Sequence, residues 1–381
     1  MFVPFAKPSI GPAEIAAVVE SLESGWLSSG PKVLEFEDKF SNFLGIETKN
    51  VASVNSATAG LHLALESLGA SAGMKIVMPT MTFTATAEVA RYFGAEITLV
   101  DSESTSPNMD LGELSITKDK CDLVIPVHFG GIPVNITKLK NIVGSETLIL
   151  EDAAHAFPAK LENRFVGNLD SDACVFSFYA NKTMTTGEGG MVTSKNEELI
   201  SRVKTMRSHG LDKNVFARFQ GKDPSLSDYD VIAAGYKYNL TDPAAALGIV
   251  QLSRASEMKE RRKAIYKYYV ENLATLPIKY LDHGLNAVES AYHLFTIEMQ
   301  EESRRSRDGL VKWLHDKGIM TSRHYKPLHL MTYWKNTLDL TNRSFPNANK
   351  RYLSTISLPY YSDMTDLQVE YVASKVKEYF F

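Results

Sequence analysis

Between residues 51 and 206 the chain alternates short apolar runs with longer stretches whose apolar residues recur every three or four positions. The short runs predict strands at 51–54, 75–78, 97–100, 123–127, 148–150, 173–178 and 191–193. Residues 56–68 place Leu61, Leu65 and Leu68 on one helical face, and 84–93 form a second helix that Gly94 stops. This β-α alternation predicts a mostly parallel sheet between helices, whose ligands collect at the carboxyl ends of the strands. After Pro243 the pattern changes. Residues 244–273 read as one or two long, charged, amphipathic helices, 293–299 as a strand, 304–317 as a helix, 318–325 as a strand and 366–380 as a closing helix. The expected organisation is an N-terminal arm and large α/β domain over 1–253, followed by a smaller α+β domain over 254–381.

Composition narrows the partners. The 381 residues are 44% hydrophobic and 23% charged, the balance of an ordinary globular chain. Net charge is −4 and no basic stripe occurs, which argues against nucleic acid and anionic membranes. No apolar run reaches the ~18 residues of a membrane span, and the first residues lack the order of a signal peptide, so the expected compartment is the cytoplasm. The two cysteines, Cys121 and Cys174, lie in apolar runs and read as small buried hydrophobes, with neither disulfide framework nor metal-ligand spacing.

Candidate chemistry gathers at strand ends. Lys182 stands where the run 173–178 enters a turn rich in threonine and glycine, and the run 148–150 ends in Glu151 and Asp152. Alone, such a lysine is usually a solvated loop residue and such an aspartate a turn or cap. Together, a lysine able to form an imine and a carboxylate able to pair a pyridine nitrogen are what pyridoxal 5′-phosphate (PLP) chemistry needs. Ser56, Ala57, Thr58, Ala59 and Gly60 open a helix directly after a strand, either as a phosphate cup of free amides or as a plain N-cap. Phe83 fits either a ring stacked on a planar cofactor or a core aromatic. His155 fits a contact to a cofactor ring or its 3-oxygen, or a structural histidine. Residues 235–242 form a polar, aromatic loop ahead of the long helices. Arg323, His324, Tyr325, Lys326 and His329 make the densest cationic and aromatic cluster of the second domain, suited to a diphosphate with a sugar or base, or to a solvated edge.

Taken together, the segments 24–32, 55–62, 151–156, 176–190, 235–242, 324–329 and 357–359 resemble the sugar aminotransferases of the DegT/DnrJ/EryC1/StrS group. These are PLP enzymes of fold type I, related to aspartate aminotransferase, and the resemblance spans nearly the whole chain. It implies that Lys182 is the imine-forming lysine and Asp152 the partner of the pyridine nitrogen. It implies that Ala57, Thr58 and Ser177 hold the phosphate, that Phe83 stacks, and that His155 replaces a glutamine common in relatives. Asn239 resembles a residue that reaches the cofactor phosphate of the neighbouring subunit, which implies a homodimer with shared sites. Trp26, Lys32, Lys237, Tyr238, Arg323, His324, Tyr325 and His329 are the substrate-facing candidates. The implied reaction moves the amino group of L-glutamate, leaving 2-oxoglutarate, to a nucleotide-linked keto sugar, at carbon 4 or else carbon 3. Sugar 3-dehydratases of this fold carry histidine at the position of Lys182, which argues against that activity. A PLP enzyme acting on amino acids and a catalytically silent PLP-binding sensor are the alternatives.

Overall fold

The computed structural model describes residues 1–117, 121–212, 229–284, 288–300, 303, 305–340 and 343–381. Its strands are β1 (Val51–Val54), β2 (Lys75–Pro79), β3 (Glu96–Val100), β4 (Leu123–Val124), β5 (Leu148–Asp152), β6 (Lys160–Leu161), β7 (Arg164–Phe165), β8 (Ala173–Ser177), β9 (Gly190–Thr193), β10 (Ile278–Tyr280), β11 (Val288–Glu289), β12 (Phe295–Met299) and β13 (Thr355–Leu358). Seven of them form the central sheet in the order β1-β9-β8-β5-β4-β2-β3. The neighbours from β3 to β8 pair in parallel, whereas β9 runs antiparallel to both β8 and β1. The segment joining β8 to β9 holds no helix, and a connection without a crossover returns antiparallel.

Both faces of the central strands are buried, so they read as continuous apolar runs. On one face Cys174 and Phe176 meet Val33, Phe36, Phe40 and Leu44 of the helix Pro31–Leu44. On the other, Ala173 and Val175 meet Leu61, Leu63 and Leu65 of the helix Ala57–Ser67. That helix lies close to the sheet because Gly60 has no side chain. A Cβ there would fall 2.7 Å from Val175 Cγ1.

The helices Asp242–Ser253 and Ala255–Leu273 meet at Arg254. Beyond them β10, β12 and β13 form an antiparallel sheet. Tyr269, Phe295, Ile297, Leu310, Leu314, Val372 and Val376 make the core of this second unit. Two expectations need adjustment. The strand expected at 123–127 stops at Val124, since Pro126 has no N–H for the ladder, and resumes only as a bridge from Val127 to Asp152. Residues 318–325 are not a strand. They touch Val3 through Ile319 and Ser357 through Ser322 at single bridges, then bend away. β11 pairs with β6, Val288 facing Leu161 and Glu289 facing Lys160. Among the described residues no helix is long and apolar enough to cross a membrane.

Candidate active site

The carboxyl ends of β1, β2, β5 and β8 open onto one cavity of about 560 Å³. At the end of β1, Ser56 caps the helix Ala57–Ser67 by accepting the Ala59 amide at 3.1 Å. Ala57 and Thr58 line the cavity, and the first amides of a helix have no acceptor within it. Ser177, at the end of β8, lines the same corner. Gly190 makes the corner possible: a Cβ on it would fall 2.8 Å from the Phe176 carbonyl and 2.9 Å from the Ala57 nitrogen.

Asp152 ends β5 and is 5% exposed. Its Oδ2 accepts the Thr86 hydroxyl at 2.8 Å and its Oδ1 accepts the Ala154 amide at 3.1 Å. Thr86 has one proton and gives it to Asp152, so Thr82, 2.8 Å away, must donate to Thr86. Burial pushes the Asp152 carboxyl upward, against the hydrogen bonds from Thr86 and Ala154 and the charge of Lys182. Lys182 rides on the β8–β9 loop. That loop is pinned by Lys182 N–H to the Tyr179 carbonyl (2.9 Å), Thr185 Oγ1 to the Phe178 carbonyl (2.9 Å), and Thr183 Oγ1 to the Phe157 carbonyl. Burial lowers the Lys182 pKa from 10.5 to about 8, with Asp152 opposing.

His155 is held at both ring nitrogens. Its Nδ1 accepts the Gly130 amide at 3.2 Å and its Nε2 lies 2.8 Å from the Tyr325 hydroxyl. Burial holds its pKa well below the ordinary histidine value. Phe83 is 56% exposed at the cavity and its ring stands 5.9 Å from that of Tyr325, so the core-aromatic reading fails. His324 bonds Ser357 Oγ at 2.8 Å and is stacked by Phe5 at 5.5 Å. Burial brings its pKa down to about 3. Arg323 lines the mouth and holds the exposed Asp308 at 2.7 Å.

Six candidates do not line this cavity. Trp26 lies across Gly30, Lys32 pairs with Glu20 at 3.1 Å, and Asn239 donates to Ser29 Oγ at 2.8 Å. Asp242 joins these segments by accepting the amides of Gly30, Lys32 and Val33. Lys237 is exposed, and the Tyr238 hydroxyl lies 3.2 Å from His62. His329 corrects an expectation: its ring nitrogens are taken by Thr80 (2.7 Å) and Asn349 (2.9 Å), and its ring stacks on Phe345. It ties loops together and has no ring nitrogen left for a ligand. Nor is 323–329 a block of positive charge, because burial lowers the pKa of both His324 and His329.

The cavity also holds residues that sequence reasoning missed. Thr82 and Thr86 flank Phe83 at a helical spacing that could have marked them. Asn181, next to Lys182, lines the cavity with its buried Oδ1 unbonded among the described residues. Behind the cavity lining, the buried His293 packs 4.4 Å from His155 and carried no signal, since the fold alone brings it there.

A model described as the DegT/DnrJ/EryC1/StrS aminotransferase family matches residues 8–377. The chain is 35% identical over 381 residues to the spore coat polysaccharide biosynthesis protein SpsC of Bacillus subtilis, covering 99% of this chain and 97% of that one. Among solved structures, the putative sugar aminotransferase Spr1654 of Streptococcus pneumoniae in its PMP form is similar with a TM-score of 0.90 at 32% identity, covering 99% of this chain and 97% of that chain. Its PLP form gives 0.89 at 31% identity, covering 99% and 98%. Helicobacter pylori PseC, an aminotransferase involved in the biosynthesis of pseudoaminic acid, gives 0.90 at 26% identity, covering 100% and 99%.

Proposed function

This chain belongs to the DegT/DnrJ/EryC1/StrS aminotransferase family, and from that premise we propose that it transfers the amino group of L-glutamate to carbon 4 of a nucleotide-linked keto sugar, with PLP as cofactor. The family is PLP-dependent, and the structural neighbours include sugar aminotransferases in PLP and PMP forms. The observation that carries the reading is the convergence of Lys182, Asp152 and the Ala57–Thr58 helix start, from three strand ends, on one cavity.

The residues fit PLP. Ala57 and Thr58 amides with the Ser177 hydroxyl would hold the phosphate, in the corner that a Cβ at Gly190 would fill. Asp152, oriented by Thr86 and Ala154, would keep the ring nitrogen protonated. Phe83 would cover the ring with its exposed face. When bound, PLP supplies a carbonyl that exchanges amines and a ring that draws electrons from the carbon losing its proton. Lys182 would anchor the cofactor and, once displaced by the donor amine, carry that proton on Nζ. A pKa near 8 leaves part of the amine neutral at pH 7 to 8, as a base requires. Arg323, the guanidinium at the mouth, would meet the carboxylate of the donor or the diphosphate of the acceptor.

The same reading makes the protein a homodimer with shared sites. Trp26, Lys32, Lys237, Tyr238 and Asn239 lie outside the cavity of their own chain. Leu27 and Leu34, close in sequence to Trp26 and Lys32, are exposed, which suits burial against a second copy.

Absorbance of the PLP-loaded protein with and without L-glutamate tests the reading. Conversion of the near-visible band to the pyridoxamine form is expected, with return of the band on adding a UDP-, dTDP- or GDP-linked 4-keto sugar. Lys182→Ala is expected to fold and to lose turnover. Normal transamination by that variant would overturn the assignment, and recovery only with 3-keto sugars would move the chemistry to carbon 3.

A further inference from the structure

The hydrogen bonds beside Lys182 run in one direction. A backbone amide can only donate, so Gly130 N–H at 3.2 Å makes His155 Nδ1 an acceptor. His155 is 6% exposed, and its burial keeps the imidazole neutral. A neutral imidazole carries its single proton on the other nitrogen, so Nε2–H donates to the Tyr325 oxygen at 2.8 Å. The phenol oxygen therefore receives, and its own proton must be given elsewhere. The rings against Tyr325 are Phe83, Phe129, His155 and His324. Among the described residues the Tyr325 hydroxyl has no hydrogen-bond partner besides His155 Nε2, so none of these side chains takes its proton. Tyr325 lines the cavity, which is the direction left open.

We propose that Tyr325 is a catalytic residue whose phenolic proton is aimed into the cavity at an oxygen acceptor of the bound ligand, with Gly130 and His155 as the positioning residues that set its direction. The acceptor is an anionic or carbonyl oxygen, either the 3-oxygen of the cofactor or the keto oxygen of the acceptor sugar. This rests on the transaminase reading for the identity of the ligand, but not for the direction of the hydrogen bonds. It also reassigns His155, which acts on the ligand through Tyr325 rather than by its own proton.

The chain has nine histidines, so ¹⁵N-histidine labelling of the full-length protein, with His155→Gln used to assign the signal, reads the tautomer of His155 without any activity. The expected result is a protonated Nε2 and a bare Nδ1, and the reverse tautomer would overturn the proposal. Tyr325→Phe then separates the two acceptors. A shift in the resting cofactor spectrum and its pH midpoint assigns the 3-oxygen. An unmoved resting spectrum with a loss of roughly tenfold or more in the keto-sugar half-reaction alone assigns the sugar carbonyl. His155→Phe is expected to reproduce the Tyr325→Phe effect, and His155→Gln, whose side-chain amide can still donate, to restore most of it. Tyr325→Phe with unchanged spectrum and unchanged half-reactions would overturn the proposal. A wild-type protein that never transaminates would instead sink the transaminase reading and leave the tautomer result standing.

Discussion

Lys182 is an ammonium that the fold would rather not bury. Its pKa falls from 10.5 to about 8, a difference worth about 3 kcal/mol. Between those values the unfolded chain holds a proton that the folded chain has released, so stability rises with pH across that window. Below pH 8 the full penalty is present. Lys182→Met is therefore expected to raise the Tm of the cofactor-free protein at pH 7, with the gain fading toward pH 10, as a calorimetric pH series would read. Loss of the Lys182 charge beside Asp152 offsets part of it, and a Tm that falls at pH 7 would refute the penalty. Lys182 and Asp152 were legible in the sequence because Asp152 closes a continuous apolar run and Lys182 stands in the threonine- and glycine-rich turn just after another. Thr86, Asn181 and His293 were not, since their importance comes from what they touch rather than from where they stand. The charge of 323–329 was misread for a related reason: whether a histidine is cationic depends on its burial, which a list of residues does not contain.

At the scale of elements, the site depends on how closely the helix Ala57–Ser67 approaches the β8–β9 pair. The atoms that a Cβ on Gly190 would meet are all backbone, from Phe176, Ser56 and Ala57, so no flexible side chain can yield. Gly190→Ala must push the helix start away from the sheet. The expected outcome is a destabilisation of about 1–3 kcal/mol, together with a PLP affinity lowered by an order of magnitude or more. Equilibrium dialysis with PLP would show it, and an unchanged affinity would mean that the corner does not hold the phosphate. Apart from 123–127, the strands of the large domain were readable to within a residue or two, because two-sided burial writes them as continuous apolar runs, whereas helices such as Pro31–Leu44, Ile136–Val143 and Glu197–Met206 were not read. The segment 318–325 was read as a strand on the same composition. Ile319 packs instead into the core of the second unit and residues 322–325 form a wall of the cavity, and composition does not separate the two uses.

Across the whole molecule, six of the nine histidines (His62, His155, His283, His293, His324 and His329) have pKa values lowered by burial. Each lends stability that is fully present above pH 6.5. It is lost as pH falls toward the folded-state value, about 4 for His283 and about 3 for His324. At pH 5 those two alone withdraw about 2 kcal/mol each. The urea midpoint is expected to drop between pH 7 and pH 5, before most carboxylates titrate, and a flat midpoint over that range would contradict the buried neutral histidines. The topology carries a different consequence, for synthesis. β1 pairs only with β9, Val51 facing Thr193, and the first residues dock through Val3 on Ile319. A ribosome that has released β1 has therefore made a strand with no neighbour until β9 emerges. The chain's opening residues stay undocked for most of translation. Nascent and truncated chains thus expose an unpaired apolar edge to chaperones and to one another, and Val3 is among the last residues to find its place.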